Sequence, residues 1–483
     1  MTSLDLKNLP QGAFIAGEWV PASNGETFEV EDPRTGKSIG RVANTTPDDW
    51  NRAIDAAAAA DQEFRKTTIE YRSSLLRTAH ELINDQADAL AEIIAAETGK
   101  PISEALAEVR YGNDFLKWYS DLIVYERNEV ATTPSGEYEM LTISEPVGPS
   151  LLITPWNFPL AMVTRKVGAA LAAGCVSILK PAAQTPYSAI FLTEVLNRAG
   201  VKPGVVSLLT TSNASEFSKQ AMNRSEIRKV SFTGSTNVGR QLLSQASNQI
   251  QATSMELGGN APFLVDENAD LDEAAKGAVI AKFRNAGQAC VAANRIIVHS
   301  KVCDEFTEKF VREVENLRAS WKRDDPTFGP MISEIQRDNL EQLLADASDN
   351  EGKILAGGHR IDGEGYYFEP TVIEGLSETS KLYCNEIFGP VAAIYAADDF
   401  DEMLAMANNT EYGLVAYLYS KNEKRIRQAI ETLEVGMFAI NRPIISEARA
   451  PFGGVKQSGI GREGGLIGLD DYRVTKYVAR QLV

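Results

Sequence analysis

Short apolar runs alternate with longer amphipathic stretches through the middle of the chain. The runs begin near residue 150, and stretches of ten or more residues with helical periodicity separate them. Runs without polar alternation predict strands buried on both faces, and the helical stretches between them predict right-handed crossovers. The runs are Leu151–Ile153, Val176–Leu179, Val205–Leu209 and Val230–Phe232. Together they predict an open, largely parallel α/β sheet.

A second alternation of the same kind starts at Ala261, with strands predicted near Ile296–Val298 and Val391–Tyr395. It indicates a second α/β domain of similar size. The N-terminal part is predicted to be poor in strands, with one helix starting at Thr46–Asp49 and a long amphipathic helix running from about Glu70 to Gly99.

The charge balance excludes two classes of partner. Lys and Arg number 48 and Asp and Glu number 66, which leaves a net charge of −18. Phosphate backbones and anionic lipids repel such a chain, so neither nucleic acid nor a membrane surface is an expected partner. The uncharged stretch rich in Ala and Val, Val167–Leu179, is too short to span a bilayer, and Met1–Asp5 has no leader character.

The cysteines do not form a disulfide framework, because there are four in 483 residues and none lies in a CxxC pair. We therefore expect a reducing compartment, the cytoplasm. The three histidines share no metal-ligand spacing, and no metal is expected. Motifs of serine hydrolases, P-loop proteins and zinc proteases are absent from the sequence.

Two glycine-containing motifs are candidates for nucleotide binding. Gly459–Gly464 matches GxGxxG but follows a loop rather than a hydrophobic strand, so we interpret it as a loop without a nucleotide role. Phe232–Ser235 does close a predicted strand and open a helix, where free backbone N–H groups can bind a phosphate. At Gly234 and Ser235 an ordinary helix cap explains the sequence equally well.

Cys290 gains significance from two other residues. Attack of a thiolate on a carbonyl needs an oxyanion donor, a base for the later water and an electron acceptor. Glu256 is a lone carboxylate between an apolar strand and two glycines, and Asn157 is an amide at a strand end. A solvated loop acid and a turn residue are their ordinary alternatives. The other cysteines are expected to be small buried side chains.

Taken together, these residues resemble the aldehyde dehydrogenase superfamily, and within it the succinate-semialdehyde dehydrogenase branch. The resemblance runs from Phe14 to the C-terminus. It rests on the combination of PWNFP at 155–159, FTGS at 232–235, MELGGNAP at 255–262, GQAC at 287–290, EIFGP at 386–390 and PFGGVKQSG at 451–459.

The resemblance implies a mechanism. Cys290 attacks the aldehyde, Asn157 and the Cys290 backbone N–H hold the oxyanion, hydride leaves to a nicotinamide, and Glu256 activates the water that releases the acid. Cofactor-binding roles are expected for Thr154, Pro155, Trp156, Lys180, Ala183, Gly234, Ser235, Leu257, Glu386 and Phe388. A CoA-acylating relative usually lacks an acid at position 256, and a scaffolding homologue would not need the three catalytic residues.

One position bears on the choice between NAD and NADP. Many NAD-dependent relatives carry a Glu three residues after the lysine that is Lys180 here, and Ala183 replaces it. Removing that charge leaves room for a 2′-phosphate with Lys180 as its partner. We expect NADP, with NAD as the alternative if Ala183 only relaxes selectivity.

Two arginines bear on the class of substrate. In the succinate-semialdehyde branch, arginines that match Arg165 and Arg284, with a loop serine that matches Ser446, bind the distal carboxylate of the substrate. Structural ion pairs are the ordinary alternative for both arginines. We expect succinate semialdehyde; Glu447 and Arg449 depart from the relatives' loop, so glutarate or 2-oxoglutarate semialdehyde, or a general aldehyde substrate, stay open.

The resemblance also implies an architecture. It comprises a Rossmann-like cofactor domain (1–128 and 147–255), an α/β catalytic domain (256–464) and a small β-ribbon oligomerisation element (129–146 and 465–483). Alternation over Tyr138–Ile143 predicts one exposed ribbon strand, and Tyr472–Val478 is expected to form another. Exposed ribbon edges pair readily, so a homodimer or homotetramer is expected.

Overall fold

The computed structural model of the protein describes residues 9–317, 328–377 and 379–481. Residues 1–5, on which the expectation about a leader segment rested, lie outside these ranges. Among the described residues, no helix combines the length and the apolar character needed to cross a membrane.

The prediction of a strand-poor N-terminal part was wrong. Two hairpins precede the first helix: β1 (Ala13–Ile15) with β2 (Glu18–Val20), and β3 (Thr27–Asp32) with β4 (Lys37–Ala43). The strands were missed because β1 and β2 are only three residues long, and β3 and β4 are exposed along much of their length. Such strands lack the continuous apolar signal of a buried sheet.

The predicted helix start at Thr46 is confirmed, since α1 (Pro47–Phe64) begins with a capping box between Thr46 and Asp49. The long amphipathic pattern forms two helices that break at Gln86, α2 (Ile69–Asp85) and α3 (Ala87–Thr98). Gly99 ends α3 in the left-handed conformation, at φ +77°. Helix α4 (Ile102–Leu122) follows directly.

The predicted parallel sheet is confirmed. Its central strands are β7 (Ser150–Ile153), β8 (Ser177–Lys180), β9 (Val206–Leu208), β10 (Lys229–Thr233) and β11 (Ala252–Glu256). They lie in the order β9-β8-β7-β10-β11, all parallel, with β1 and β2 beyond β9. The crossover helices are α5 (Ala161–Ala173), α6 (Tyr187–Arg198), α7 (Ala214–Asn223) and α8 (Thr236–Ala246).

The second predicted α/β domain is also present. Its strands are β12 (Ala261–Val265), β13 (Ala293–His299), β14 (Lys353–Ala356), β15 (Thr371–Glu374), β16 (Val391–Ala397), β18 (Val415–Tyr419) and β19 (Met437–Ile440), in the order β14-β15-β16-β13-β12-β18-β19. Its helices are α9 (Leu271–Phe283), α10 (Ser300–Glu315), α11 (Glu334–Asp349), α12 (Lys381–Cys384), α13 (Phe400–Asn408) and α14 (Glu423–Thr432).

A three-stranded ribbon contains both segments expected of it: β5 (Glu129–Thr132), β6 (Tyr138–Pro146) and β22 (Arg473–Gln481), with β6 in the middle. The remaining short strands are β17 (Tyr412–Gly413), β20 (Val455–Lys456) and β21 (Gly459–Ile460). Because β21 pairs with β11, the first sheet includes residues on both sides of the predicted boundary at 256.

Candidate active site

Cys290 lies at the end of a tightly wound loop between α9 and β13. Asn285 and Ala286 adopt φ +54°, and Gly287 adopts φ +71°. A side chain at Gly287 would collide with the carbonyl of Gly389. The left-handed turn costs backbone energy at the two non-glycine residues, so surrounding contacts must hold it in place. Cys290 itself is partly exposed.

Asn157, the predicted oxyanion donor, follows β7 and is buried. Its Nδ2 donates to the carbonyl of Gln288 at 3.1 Å, and its Oδ1 accepts from the N–H of Phe158. The amide is therefore fixed against the loop that carries Cys290, and one Nδ2 hydrogen is left for an oxyanion.

Two cavities meet at Cys290. The first, which we call the substrate cavity, has a volume of about 240 Å³ and contains three of the predicted substrate residues, Arg165, Arg284 and Ser446. The second, the cofactor cavity, has a volume of about 220 Å³. It is lined by these predicted residues: Pro155, Trp156, Asn157, Gly234, Ser235, Leu257, Glu386 and Phe388. A thiol between two such cavities can face an aldehyde on one side and a hydride acceptor on the other.

Burial raises the pKa of the Cys290 thiol, and the carboxylates of Glu386 and Glu256 also raise it, whereas the guanidinium of Arg165 lowers it. Together these influences bring the pKa to about 12, which favours the protonated thiol at neutral pH. Because the thiolate is the nucleophile, catalysis needs a base or a bound cation before attack.

Glu256 ends β11 and lines neither cavity. Its two carboxyl oxygens are buried without a hydrogen-bond partner among the described residues. Burial, followed by the neighbouring Glu463, raises the pKa of Glu256 well above its usual range. A buried carboxyl with unused oxygens can act as a general base once it is ionised.

Arg165 contacts other protein groups more than the sequence suggested. Its Nη1 donates to Oε2 of Glu463 at 3.2 Å, and its Nη2 donates to the hydroxyl of Tyr111 at 2.5 Å. The guanidinium also lies 4.4 Å from the ring centre of Phe452. Only Nε is buried without a partner among the described residues. The structural ion pair, which was the ordinary alternative for this arginine, is therefore present. The Nε–H of Arg165 remains available to a ligand.

Arg284 lacks such a pair. No carboxylate of the described residues lies within ion-pair distance of it, and its guanidinium lies 5.5 Å from the ring centre of Phe158. Ser446 contacts the hydroxyl of Tyr111 on the same cavity wall. The positive charge of Arg284 also acts on Glu104, a carboxyl of the same cavity whose pKa burial raises. The guanidinium of Arg284 and the hydroxyls of Ser446 and Tyr111 form a donor set suited to a carboxylate.

The cofactor cavity fits a nicotinamide nucleotide. Ser235 caps α8 without a side-chain bond, so backbone N–H groups at this helix start are open to a phosphate. The hydroxyls of Thr154 and Thr233 are buried without partners among the described residues. Oε1 of Glu386 accepts from the N–H of Gly259 at 3.1 Å.

Two aromatic side chains also line the cofactor cavity. The rings of Trp156 and Phe388 meet edge to face, with their centres 5.3 Å apart. Burial raises the pKa of Glu386 to about 7. Its second oxygen is free to accept from a ribose hydroxyl at pH values where the carboxyl is ionised.

Lys180 and Ala183, predicted to choose the cofactor, lie at the carboxyl end of β8 and outside both cavities. The carbonyl of Lys180 accepts from the N–H of Thr154, which places the two strand ends side by side. Burial lowers the pKa of Lys180 to about 8. Among the described residues, no carboxylate pairs with its ammonium.

The GxGxxG match does not join a strand to a helix. Gly459 and Ile460 form β21, although a loop was predicted, and Glu463 from the same motif pairs with Lys166, 2.5 Å between Nζ and Oε1. The motif therefore closes the first sheet and supplies a buried anion.

Several lining residues received no role from the sequence. Thr233, Gly258 and Phe452 lie inside the family motifs, whereas no motif marks Glu104, Glu108, Tyr111, Met162 and Gln336. Among the described residues, no group of three or more His, Cys, Asp or Glu side chains could hold a metal ion.

A model of the aldehyde dehydrogenase family matches residues 19–478. The chain belongs to the aldehyde dehydrogenase family. This confirms the resemblance predicted from the six motifs and the fold class, and it makes the protein an NAD(P)-dependent enzyme.

Similar proteins cover almost all of this aldehyde dehydrogenase. Glutarate-semialdehyde dehydrogenase of Pseudomonas putida is 42% identical over 475 residues, covering 98% of each chain. The NADP(+) succinate-semialdehyde dehydrogenase of Escherichia coli is 41% identical over 469 residues, covering 97% of each. The solved succinate-semialdehyde dehydrogenase from Burkholderia pseudomallei has a TM-score of 0.96 at 41% identity, covering 100% of this chain and 99% of that one.

Proposed function

We propose that this aldehyde dehydrogenase oxidises succinate semialdehyde to succinate with NADP. The observation that carries the proposal is Arg284, which lies in the cavity beside Cys290 with no carboxylate of the described residues within ion-pair distance, although its charge acts on the nearby Glu104. In an acidic protein, a guanidinium in this position favours a substrate that brings its own carboxylate. The relatives named for succinate semialdehyde and for glutarate semialdehyde support the same substrate class.

The proposed chemistry starts at Cys290. Its proton passes to a base, and Sγ bonds to the aldehyde carbon while Asn157 Nδ2 and the Cys290 N–H hold the oxyanion. NAD(P)⁺, when bound, accepts the hydride that leaves this carbon. The carbon then stays on Sγ as a thioester. Glu256 takes a proton from water, whose oxygen bonds to the carbonyl carbon, and the carboxylic acid leaves as the thiol is restored.

Hydrolysis rather than transfer to CoA follows from Glu256. Its buried carboxyl, once ionised, can take a proton from water, and this is the step that a CoA-acylating relative would not need.

The preference for NADP is supported by Lys180 and Ala183. A buried ammonium with no ion-pair partner in the part of the chain that the structure describes, three residues from a position without a side-chain charge, suits a 2′-phosphate better than a free hydroxyl.

The deciding experiment measures initial rates with succinate semialdehyde, glutarate semialdehyde and propanal, each with NADP and NAD. We expect succinate semialdehyde with NADP to have the highest kcat/KM. Glutarate semialdehyde in first place would show that the cavity accommodates one more methylene. Propanal in first place would show that Arg284 does not select the substrate, and would refute the proposal.

The ribbon is proposed to join subunits into a homodimer or homotetramer. Val130, Val474 and Tyr477 expose apolar surface on it, and β5 forms an edge without a neighbouring strand among the described residues. The cytoplasm is the proposed compartment, because four cysteines in 483 residues, none in a CxxC pair, do not make a disulfide framework. Light scattering of the purified enzyme tests the assembly.

A further inference from the structure

Two loops that belong to different sheets lie against each other next to Cys290. One follows β7 and carries Asn157; the other follows α9 and carries Asn285 and Gln288. The distance between the oxyanion amide and Sγ depends on how these two loops are held together. The first turns of α4, together with Lys100 just before it, lie against both.

Lys100 binds the Asn157 loop directly. Its Nζ donates to the carbonyl oxygen of Asn157 at 2.9 Å and to Oε2 of Glu108 at 2.7 Å. The Lys100 and Glu108 side chains are 1% and 0% exposed. Lys100 lines neither cavity, so it has no direct access to substrate or cofactor.

Glu108 binds the same loop at its other end. Its Oε1 accepts from the N–H of Leu160 at 2.9 Å and from that of Ala161 at 3.3 Å. These two groups open α5, where no side chain of the helix itself provides a cap. Although Glu108 borders the substrate cavity, both of its oxygens already have donors from the protein. Glu108 therefore binds the loop that follows β7 rather than a ligand.

Glu104, one turn earlier on α4, binds the opposite loop. Its Oε2 accepts from the N–H of Asn285 at 3.0 Å, at the start of the left-handed turn. Nδ2 of Asn285 donates to the carbonyl of Asn157 at 3.0 Å and to that of Gln288 at 3.1 Å. Side chains four residues apart on a helix share a face, which explains how α4 reaches both loops.

We propose that Lys100 and Glu108 are positioning residues that hold the oxyanion amide of Asn157 in register with the Cys290 thiol. The carbonyl of Asn157 accepts from Lys100 on one side and from Asn285 on the other, so the peptide plane of Asn157 is fixed. Loss of the ion pair frees this plane, and the side-chain amide moves relative to Sγ. The inference rests on the proposed oxyanion role of Asn157.

The test is a double-mutant cycle on the hydride-transfer step. Lys100→Met alone leaves Glu108 buried without its cation and is prone to misfolding, so the main variant is Lys100→Met/Glu108→Gln, which removes both charges. Reduced nicotinamide is followed in a single turnover with saturating aldehyde, in the wild-type and Asn157→Ala backgrounds. Cofactor affinity is measured separately by fluorescence titration.

We expect the paired variant to slow hydride transfer by about 10- to 100-fold, because a displacement of about 1 Å in a catalytic group has effects of this size. Aldehyde KM and cofactor Kd should change by less than about twofold, because neither residue binds them. In the Asn157→Ala background the further loss should disappear, since there is no amide left to position.

The matched control is Arg425→Gln. Arg425 on α14 forms an ion pair with Asp266, which is fully buried and directly follows β12 of the second sheet. Neither residue lines the substrate cavity or the cofactor cavity. This variant should lose stability without slowing hydride transfer.

Three results would overturn the inference. A paired variant with the wild-type rate shows that the ion pair does not position the amide. A loss that persists in full in the Asn157→Ala background shows an effect that does not pass through Asn157. If Asn157→Ala alone keeps the wild-type rate, the proposed oxyanion role fails, and the inference fails with it.

Discussion

The guanidinium of Arg165 and the carboxylate of Glu463 form an ion pair inside the protein, with 3.2 Å between Nη1 and Oε2 and both side chains almost fully buried. Lys166 pairs with the other oxygen of the same carboxylate at 2.5 Å. Arg165 thus has a structural task beside the substrate cavity that Arg284 does not share. The two arginines predicted as equal partners should respond differently to mutation.

Arg284→Ala should raise KM for succinate semialdehyde at least tenfold while leaving KM for propanal within about twofold, because only the acidic aldehyde loses a charge-assisted hydrogen bond. Arg165→Ala should instead lower the free energy of unfolding by about 3 kcal/mol, since it leaves a buried carboxylate with one cation fewer. Steady-state kinetics and urea unfolding of both variants check this. In the double variant, equal KM increases for both aldehydes would point to folding damage.

Cys290→Ala should abolish turnover and retain cofactor binding. The thiol supplies the bond to the aldehyde carbon, whereas the cofactor contacts come from other residues on the wall of the neighbouring cavity. Absorbance assays and fluorescence titration measure the two properties. Full activity in this variant would refute the assignment of the nucleophile.

Glu256→Gln should separate the two halves of the reaction. Hydride transfer precedes the step that needs this carboxylate, so we expect a burst of reduced cofactor of about one equivalent per site, then turnover slowed by about 10²- to 10⁴-fold. In the wild-type enzyme the base is active when ionised. Because burial raises the pKa of Glu256, deacylation should decline at a higher pH than an ordinary Glu would require. Absence of a burst would assign Glu256 to an earlier step.

Alkylation of Cys290 in the cofactor-free enzyme should accelerate steadily with pH. Burial raises its pKa to about 12, so the thiolate fraction is small at neutral pH and should grow about tenfold per unit up to pH 10. Inactivation rates with iodoacetamide measure this, with Cys290→Ala identifying label on the other cysteines. A plateau below pH 9 would show that the site stabilises the thiolate without cofactor.

Ala183→Glu should shift preference from NADP toward NAD by at least tenfold in the ratio of kcat/KM values. The new carboxylate would repel a 2′-phosphate and accept from a ribose hydroxyl. Lys180→Met, which removes the nearby ammonium and adds no acid, should weaken NADP alone. An unchanged ratio in Ala183→Glu would refute the role of this position.

The central strands could be predicted, and three catalytic residues could be proposed, because their sequence signals are local. β7, β8, β9 and β10 are buried on both faces and therefore read as continuous apolar runs. Cys290, Glu256 and Asn157 each lie in a short motif specific to the family. The break of the long helix at Gln86 was not predictable, because the apolar periodicity continues across it.

Residue order alone therefore determined the α/β class and the family, and it predicts which residues react. The tertiary structure decided which charges are available to a ligand. Arg165 and Arg284 look alike in the sequence, but Glu463, almost 300 residues away in the chain, pairs with the first, whereas no carboxylate of the described residues lies within ion-pair distance of the second. Likewise, only folding brings Lys100 to the carbonyl of Asn157. Partners distant in sequence leave no periodic pattern, and the electrostatics of a buried site depend on the groups that the fold brings together.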